Sequence, residues 1–414
     1  MKKDELIEKY THMLNNYGAH EIMMVDYIKS QALNNGFVEY KDFCEYKKGD
    51  KIFYTFRNKL IILMKIGLNF KGSNMIVSHL DSPRLDVIVG NPIVDKEDGV
   101  FLKVIPYGGI ITQSWLDRPL SLVGRAENKN GEVVNINTKN EFDFVISSLL
   151  PHLDGRNEMK NLKFENLLVR IGNEKENVLK ILQEKYNLDD NFLEFADLSF
   201  VPSMEVREIG FDKELIAGYG HDDKCCAFAE LQAFFDAELK EMSQVAIFAS
   251  YEETGSKQST GCQSDVIEDF LLDVIGSIRT TKDFIRNSFV ISADVCAAYE
   301  HQYSKHFEDS AKAISGKGTA IVPYLGRKSG NDSSFEIRKF IKDILNEKEI
   351  DYSIETTKVS EGGGGTVSSF FAIKGCEIID VGIPVLAMHS PQEMISKHDL
   401  CETYRLYHAF YESR

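Results

Sequence analysis

Apolar residues recur at helical spacing over residues 5–14 and again over 20–33, with Asn15-Asn16-Tyr17-Gly18 turning between them. This predicts a helical pair that docks on a larger body and carries no chemistry of its own. From Asn74 the pattern changes to short apolar runs. Met75-Ile76-Val77-Ser78 is broken by His79 and by the turn residues Asp81-Ser82-Pro83, and similar runs recur at 245–250, 289–292 and 377–380. Helical patterns at 222–239 and 333–345 lie between some of these runs. Strands that alternate with helices predict an α/β sheet covered on both faces.

Residues from about 90 to 207 break that rhythm. Gly90-Asn91-Pro92, Tyr107-Gly108-Gly109 and Lys129-Asn130-Gly131-Glu132 punctuate short β-like runs at 101–105 and 120–123. The expected organisation is therefore a discontinuous α/β domain, residues 1–90 and 208–414, with a β-rich unit inserted at 91–207. No internal repeat or flexible linker is evident.

Composition narrows the class. With 414 residues and 43% hydrophobic content the chain can bury a large core. No run of about 18 apolar residues is present and the start, Met1-Lys2-Lys3-Asp4-Glu5, lacks an apolar leader, so the expectation is a cytoplasmic protein without a membrane partner. Cys44, Cys225, Cys226, Cys262, Cys296, Cys376 and Cys401 contain no C-x-x-C pair and read as reduced thiols. A net charge of -16 argues against a nucleic-acid backbone as partner.

Five short segments then carry the chemistry: Ser78-His79-Leu80-Asp81, His221-Asp222-Asp223-Lys224, Tyr251-Glu252-Glu253-Thr254, Ser292-Ala293-Asp294 and Ala387-Met388-His389-Ser390. Most stand where an apolar run stops, and in open α/β sheets ligands bind beyond the carboxyl ends of strands. Three carboxylates gathered there repel by about 4 kcal/mol per close pair at ~4 Å and an effective dielectric of 20. Two zinc ions would offset this. Imidazole and carboxylate donors suit zinc, and sharing one carboxylate gives each metal three ligands: His79, Asp222 and Asp294 for one, Asp222, Glu253 and His389 for the other. Asp81 is expected to hold the far nitrogen of His79, and Glu252 to act as general base.

The ordered set resembles that of the aspartyl aminopeptidase family of cocatalytic zinc metallopeptidases. Trp115-Leu116-Asp117-Arg118-Pro119-Leu120-Ser121-Leu122-Val123-Gly124-Arg125 is similar to the family's W-x-D-R-x-L-x-x-x-G-R segment, and Asp380 to Ser390 to its D-x-G-x-x-x-L-x-M-H-S segment. Gly364-Gly365-Thr366 resembles its glycine-threonine loop. The resemblance implies a zinc-exopeptidase-like mixed sheet sandwiched by helices, with an inserted β-rich dimerisation domain. It implies an aminopeptidase acting on peptides with two zinc ions per subunit, which cobalt or manganese can replace. It also implies a homo-oligomer, a dodecamer built from dimers, in which His152 contacts substrate in a neighbouring subunit.

The segment after Asp294, Val295-Cys296-Ala297-Ala298-Tyr299-Glu300-His301, departs from the eukaryotic pattern of two histidines and Asn-Pro. Residues 326–332 and 361–366 resemble a bacterial branch, whose substrates need not be acidic. Arg327 or Lys328 could receive an acidic side chain or be solvated loop charges. Two other readings compete. A carboxypeptidase or deacylase of the wider zinc exopeptidase group shares the metal site, and a non-catalytic scaffold would keep the fold alone.

Overall fold

The computed structural model describes all residues except 43, 156–158, 160–161, 325–331, 359 and 362–365. Arg327, Lys328 and the run Gly362 to Gly365 thus lie outside the described residues. The chain groups into two units: Met1–Asp81, Val206–Met388 and Glu393–Arg414 form the first, Ser82–Glu205 with His389–Gln392 the second.

Nine strands make the central sheet of the first unit: β1 (Val38–Glu39), β2 (Lys51–Phe56), β3 (Leu60–Lys65), β4 (Ser73–His79), β5 (Ser243–Ala249), β6 (Phe289–Ser292), β7 (Thr319–Val322), β8 (Tyr352–Ile354) and β9 (Glu377–Gly382). Their spatial order is β1-β2-β3-β5-β4-β6-β9-β7-β8. At the centre β5, β4, β6 and β9 run parallel, with Ala249 opposite His79 and Ser292 opposite both Val77 and Asp380. β3, β4 and β5 are buried at every position, as strands covered on both faces must be.

Alternate residues of these strands enter two separate cores. Ile76, Ala246, Phe248, Ile291 and Ile379 face one, with helices α1 (Lys3–Tyr17), α2 (Glu21–Asn34), α3 (His221–Asp236), α4 (Phe335–Glu347) and α5 (Lys397–Tyr411) contributing to it. Met75, Val77, Val245, Ile247, Val290 and Ile378 face the other, against helices Val266–Ile275 and Ile278–Arg286. The mixed sheet sandwiched by helices expected from the sequence is observed.

α3 is the interior helix of this unit. Fourteen residues from His221 to Phe234 are buried, so it is enclosed around most of its circumference, as a core helix is, with its polar members buried too. Phe234 packs its ring 5.3 Å from Tyr411 and 5.7 Å from Phe37. Lys65 caps the far end of α3, donating from its ammonium to the carbonyls of Phe234 (2.5 Å) and Ala237 (2.7 Å). Phe234→Ala should cost about 3–5 kcal/mol of stability through lost burial and the cavity left behind. Denaturant unfolding measures this, and a cost below about 1 kcal/mol would contradict the packing described.

The second unit is mainly antiparallel. Strands Leu168–Gly172, Gly99–Tyr107, Arg84–Val87, Asp197–Pro202, Leu120–Glu127 and Val133–Asn137 lie side by side, with Ile93–Lys96 pairing Gly99–Tyr107. It begins at Ser82, because Arg84–Val87 pairs with both Gly99–Tyr107 and Asp197–Pro202. Among its described residues one α-helix, Lys175–Tyr186, packs against strand Leu168–Gly172. Gly124 sits at φ 136°, and a Cβ there would lie 2.0 Å from the Asp197 carbonyl oxygen across the ladder, so only glycine fits. Among the described residues no helix is long and apolar enough to cross a membrane.

Candidate metal centre

Three adjacent strand ends bring the donors together. His79 is the last residue of β4, Asp294 follows β6, and Glu252–Thr254 forms a 3-10 turn just after β5. The Ala293 N–H donates to the Val77 carbonyl (2.8 Å), which extends the β6 ladder to the residue before Asp294. Gly382 on β9 passes so close that a Cβ there would stand 1.8 Å from the Asp294 carbonyl oxygen. Asp222 comes from the start of α3, where the Asp222-Asp223 peptide is cis.

His79 Nε2 lies 3.3 Å from Asp222 Oδ1 and 3.7 Å from Asp294 Oδ1. One ligand atom from each of these three buried residues falls within 4.8 Å of the others. Supporting bonds fix the backbone beneath them. Asp223 Oδ2 accepts the His79 N–H (3.2 Å), and Glu393 Oε2 accepts the Asp222 N–H (3.0 Å). Neither Asp223 nor Glu393 stands out in the sequence by type alone; each reads as one more surface acid.

Asp81 does more than orient an imidazole. Nδ1 of His79 is nearest the Asp81 backbone carbonyl, at 3.1 Å, with the carboxylate at 3.5 Å. That carboxylate accepts the N–H groups of Glu252 and Glu253, each at 3.2 Å. It therefore ties β4 to the turn that carries the expected base. His389 follows strand Pro384–Leu386 at φ 64° and groups with the second unit. There a Cβ on Gly109 would lie 3.3 Å from its Nδ1, so glycine lets that backbone approach the ring. His152 stands on an exposed turn of the second unit.

Crowding shows in the acid strengths. Burial, then repulsion from Asp294, pushes Glu252 up to about 8. Burial, then Asp222, pushes Glu253 well above the usual range, and burial also raises Asp294. For His79 burial opposes protonation, but hydrogen bonds to Asp222, Asp294 and Asp81 outweigh it and hold its pKa well above normal. Acids that cannot all ionise together, beside two imidazoles in the sequence set, are what a binding place for divalent cations requires. The donors fit zinc, which takes imidazole and carboxylate ligands and keeps a position open in catalytic sites.

These shifts have a consequence for the metal-stripped chain. Raised folded-state pKa values mean that the folded form binds protons the unfolded form has already released, so stability falls as pH rises from the unfolded carboxylate range near ~4 towards about 8. With chelator present, thermal unfolding should occur at a lower temperature at pH 8 than at pH 6. Zinc should flatten that difference, and a chelated protein indifferent to pH would count against the crowded cluster.

Outside this set, Asp380 on β9 accepts from Thr366 Oγ1 (2.7 Å) and is pushed up to about 6, chiefly by burial. It holds Thr366 beside the strand ends. The sequence marked both residues only through their motifs.

The family model for "Aminopeptidase I zinc metalloprotease (M18)" matches residues 16–411. "Probable M18 family aminopeptidase 1" of Borreliella afzelii (strain PKo) is 37% identical, the match covering 98% of this chain and 95% of that protein. The crystal structure of an M18 family aminopeptidase from Thermotoga maritima superimposes with a TM-score of 0.94 at 33% identity, over 100% of this chain and 98% of the other. The S. cerevesiae mApe1 dodecamer shares the fold, with a TM-score of 0.82 at 16% identity over 99% and 96%.

Proposed function

This chain belongs to the M18 family of zinc metalloproteases and is a metal-dependent aminopeptidase, and from that premise we propose that it removes N-terminal residues from peptides with two zinc ions and a glutamate base. The observation that carries the reading is the trio His79, Asp222 and Asp294, drawn from three separate segments to within ligand distance of one another. His79, Asp222 and Asp294 would hold one ion, and Asp222, Glu253 and His389 the other. When bound, such ions acidify water and polarise a scissile carbonyl.

The chain's own groups do the rest. Glu252 Oε takes a proton from the attacking water as its oxygen bonds to the carbonyl carbon. The same carboxyl then gives that proton to the departing nitrogen as the C–N bond breaks, leaving a free amino acid and a shortened peptide. Asp81 keeps Glu252 and Glu253 in register by accepting both their N–H groups.

By the family resemblance, His152, exposed on its turn, would contact substrate bound in a neighbouring copy. The S. cerevesiae mApe1 is a dodecamer, and we extend homo-oligomer formation to this chain as part of the proposal. Assays with free dipeptides against the same dipeptides blocked at the amine test the function. Cleavage of free but not blocked substrates is expected. Preference for the blocked form would instead assign a deacylase or carboxypeptidase.

A further inference from the structure

The general base sits on a strained turn, and what holds that turn reaches back to the N-terminal helical pair. Tyr251, the residue before Glu252, has φ 61°. A bulky residue in the left-handed region persists only where its surroundings impose it. Its carbonyl accepts the N–H groups of Ser256 (2.7 Å) and Thr254 (3.3 Å), which closes the turn on one side. On the other side is Lys59, whose ammonium stands 5.4 Å from the Tyr251 ring centroid and 3.5 Å from its hydroxyl oxygen.

Lys59 is itself fixed. Its ammonium lies 3.3 Å from Glu21 Oε1, and Lys59 and Glu21 are 7% and 1% exposed. Glu21 opens α2, and its other oxygen lies 3.1 Å from His20 Nδ1. The turn between β2 and β3 that presents Lys59 grips the same loop twice more. The Lys59 carbonyl accepts from Ser250 Oγ (2.5 Å), and Arg57 donates to Ser259 Oγ (3.0 Å).

A buried ion pair is costly to desolvate and adds little net stability when an apolar pair would serve. It does fix geometry. We propose that Glu21 and Lys59 are positioning residues for Glu252: the ion pair clamps the Tyr251 ring, and the clamped ring holds the left-handed turn that aims the base. The proposal rests on Glu252 being the base. It gives the helical pair, which supplies no ligand, a part in the reaction.

Lys59→Met keeps the stem of the side chain and removes the charge. Tyr251→Asn keeps a residue that tolerates φ near 60° and removes the ring, without touching the ion pair. Each should lower kcat by about 10–100-fold, the range typical of partners one step behind a metal-site group, with KM and zinc content near wild type. In the metal-free protein, amide exchange at Gly255 and Ser256 should accelerate by about 10-fold or more. Lys59→Arg should restore both rate and protection.

Wild-type kcat and unchanged exchange in Tyr251→Asn would overturn the proposal even if Lys59→Met fails to fold. An unchanged KM with a lowered kcat separates lost aim from lost substrate binding. If Glu252→Gln is inactive while Tyr251→Asn is wild type, the positioning role alone falls. If Glu252→Gln remains active, the base assignment falls first.

Discussion

Glu252→Gln is expected to lower turnover by about 10³–10⁴-fold while zinc content stays at the wild-type level, two ions per chain by the proposal above. The amide has the shape of the carboxylate but cannot take a proton from water, so the loss is that of general-base catalysis. Glu252 belongs to neither donor set, and its backbone N–H, held by Asp81 at 3.2 Å, is untouched by the change. Metal content and thermal stability should therefore stay near wild type. Steady-state rates and elemental analysis of the same sample check this. A variant that lost metal in proportion to activity would make Glu252 a ligand, and one that kept its rate would remove it from the mechanism.

Asp222→Ala should have the larger effect. Asp222 is the one residue common to both proposed donor sets, and its neighbours then repel without a cation to offset them. Zinc should fall from two ions per chain to fewer than one, and activity by at least about 10⁴-fold, a fraction of the 10⁶-fold or greater acceleration enzymes provide. His79→Ala, which removes a donor from one set alone, should leave one ion bound. Equal zinc loss in the two variants would show that the sets do not share Asp222.

Much of the candidate site is legible in the sequence because the residues proposed for it stand where regular patterns stop. β4, β5 and β6 read as apolar runs, and His79, Glu252 and Asp294 are the polar residues at or after their ends. The chemistry follows from residue type once strand ends are known to converge. The helices α1, α2 and α3 are also found within a few residues of the positions their periodicity predicts.

Other elements are hidden for physical reasons. β3, Leu60-Ile61-Ile62-Leu63-Met64-Lys65, is buried throughout, and a continuous apolar run without alternation does not distinguish strand from helix. Its lysine reads as solvated, yet the ammonium is satisfied by carbonyls at the end of α3. α5 is obscured because its inner face is built from tyrosines. Tyr404, Tyr407 and Tyr411 donate to Asp236, to the Val381 carbonyl and to the Val245 carbonyl, so aromatic rings with polar tips pack where aliphatic residues would be expected.

Supporting acids escape for a different reason. Asp223, Glu230 and Glu393 are all buried, and each accepts a backbone N–H. An acid that props up a backbone has no signature of spacing or neighbours. The Lys59–Glu21 pair is hidden likewise, since 38 positions of chain separate a helix start from a strand turn.

By the proposed function, acids and imidazoles from distant segments converge to hold paired divalent ions. Zinc titration of the metal-stripped protein, with activity read at each addition, tests it most directly. Activity should appear only as binding approaches two equivalents per chain. Full activity at one equivalent, or in the stripped protein, would contradict the account.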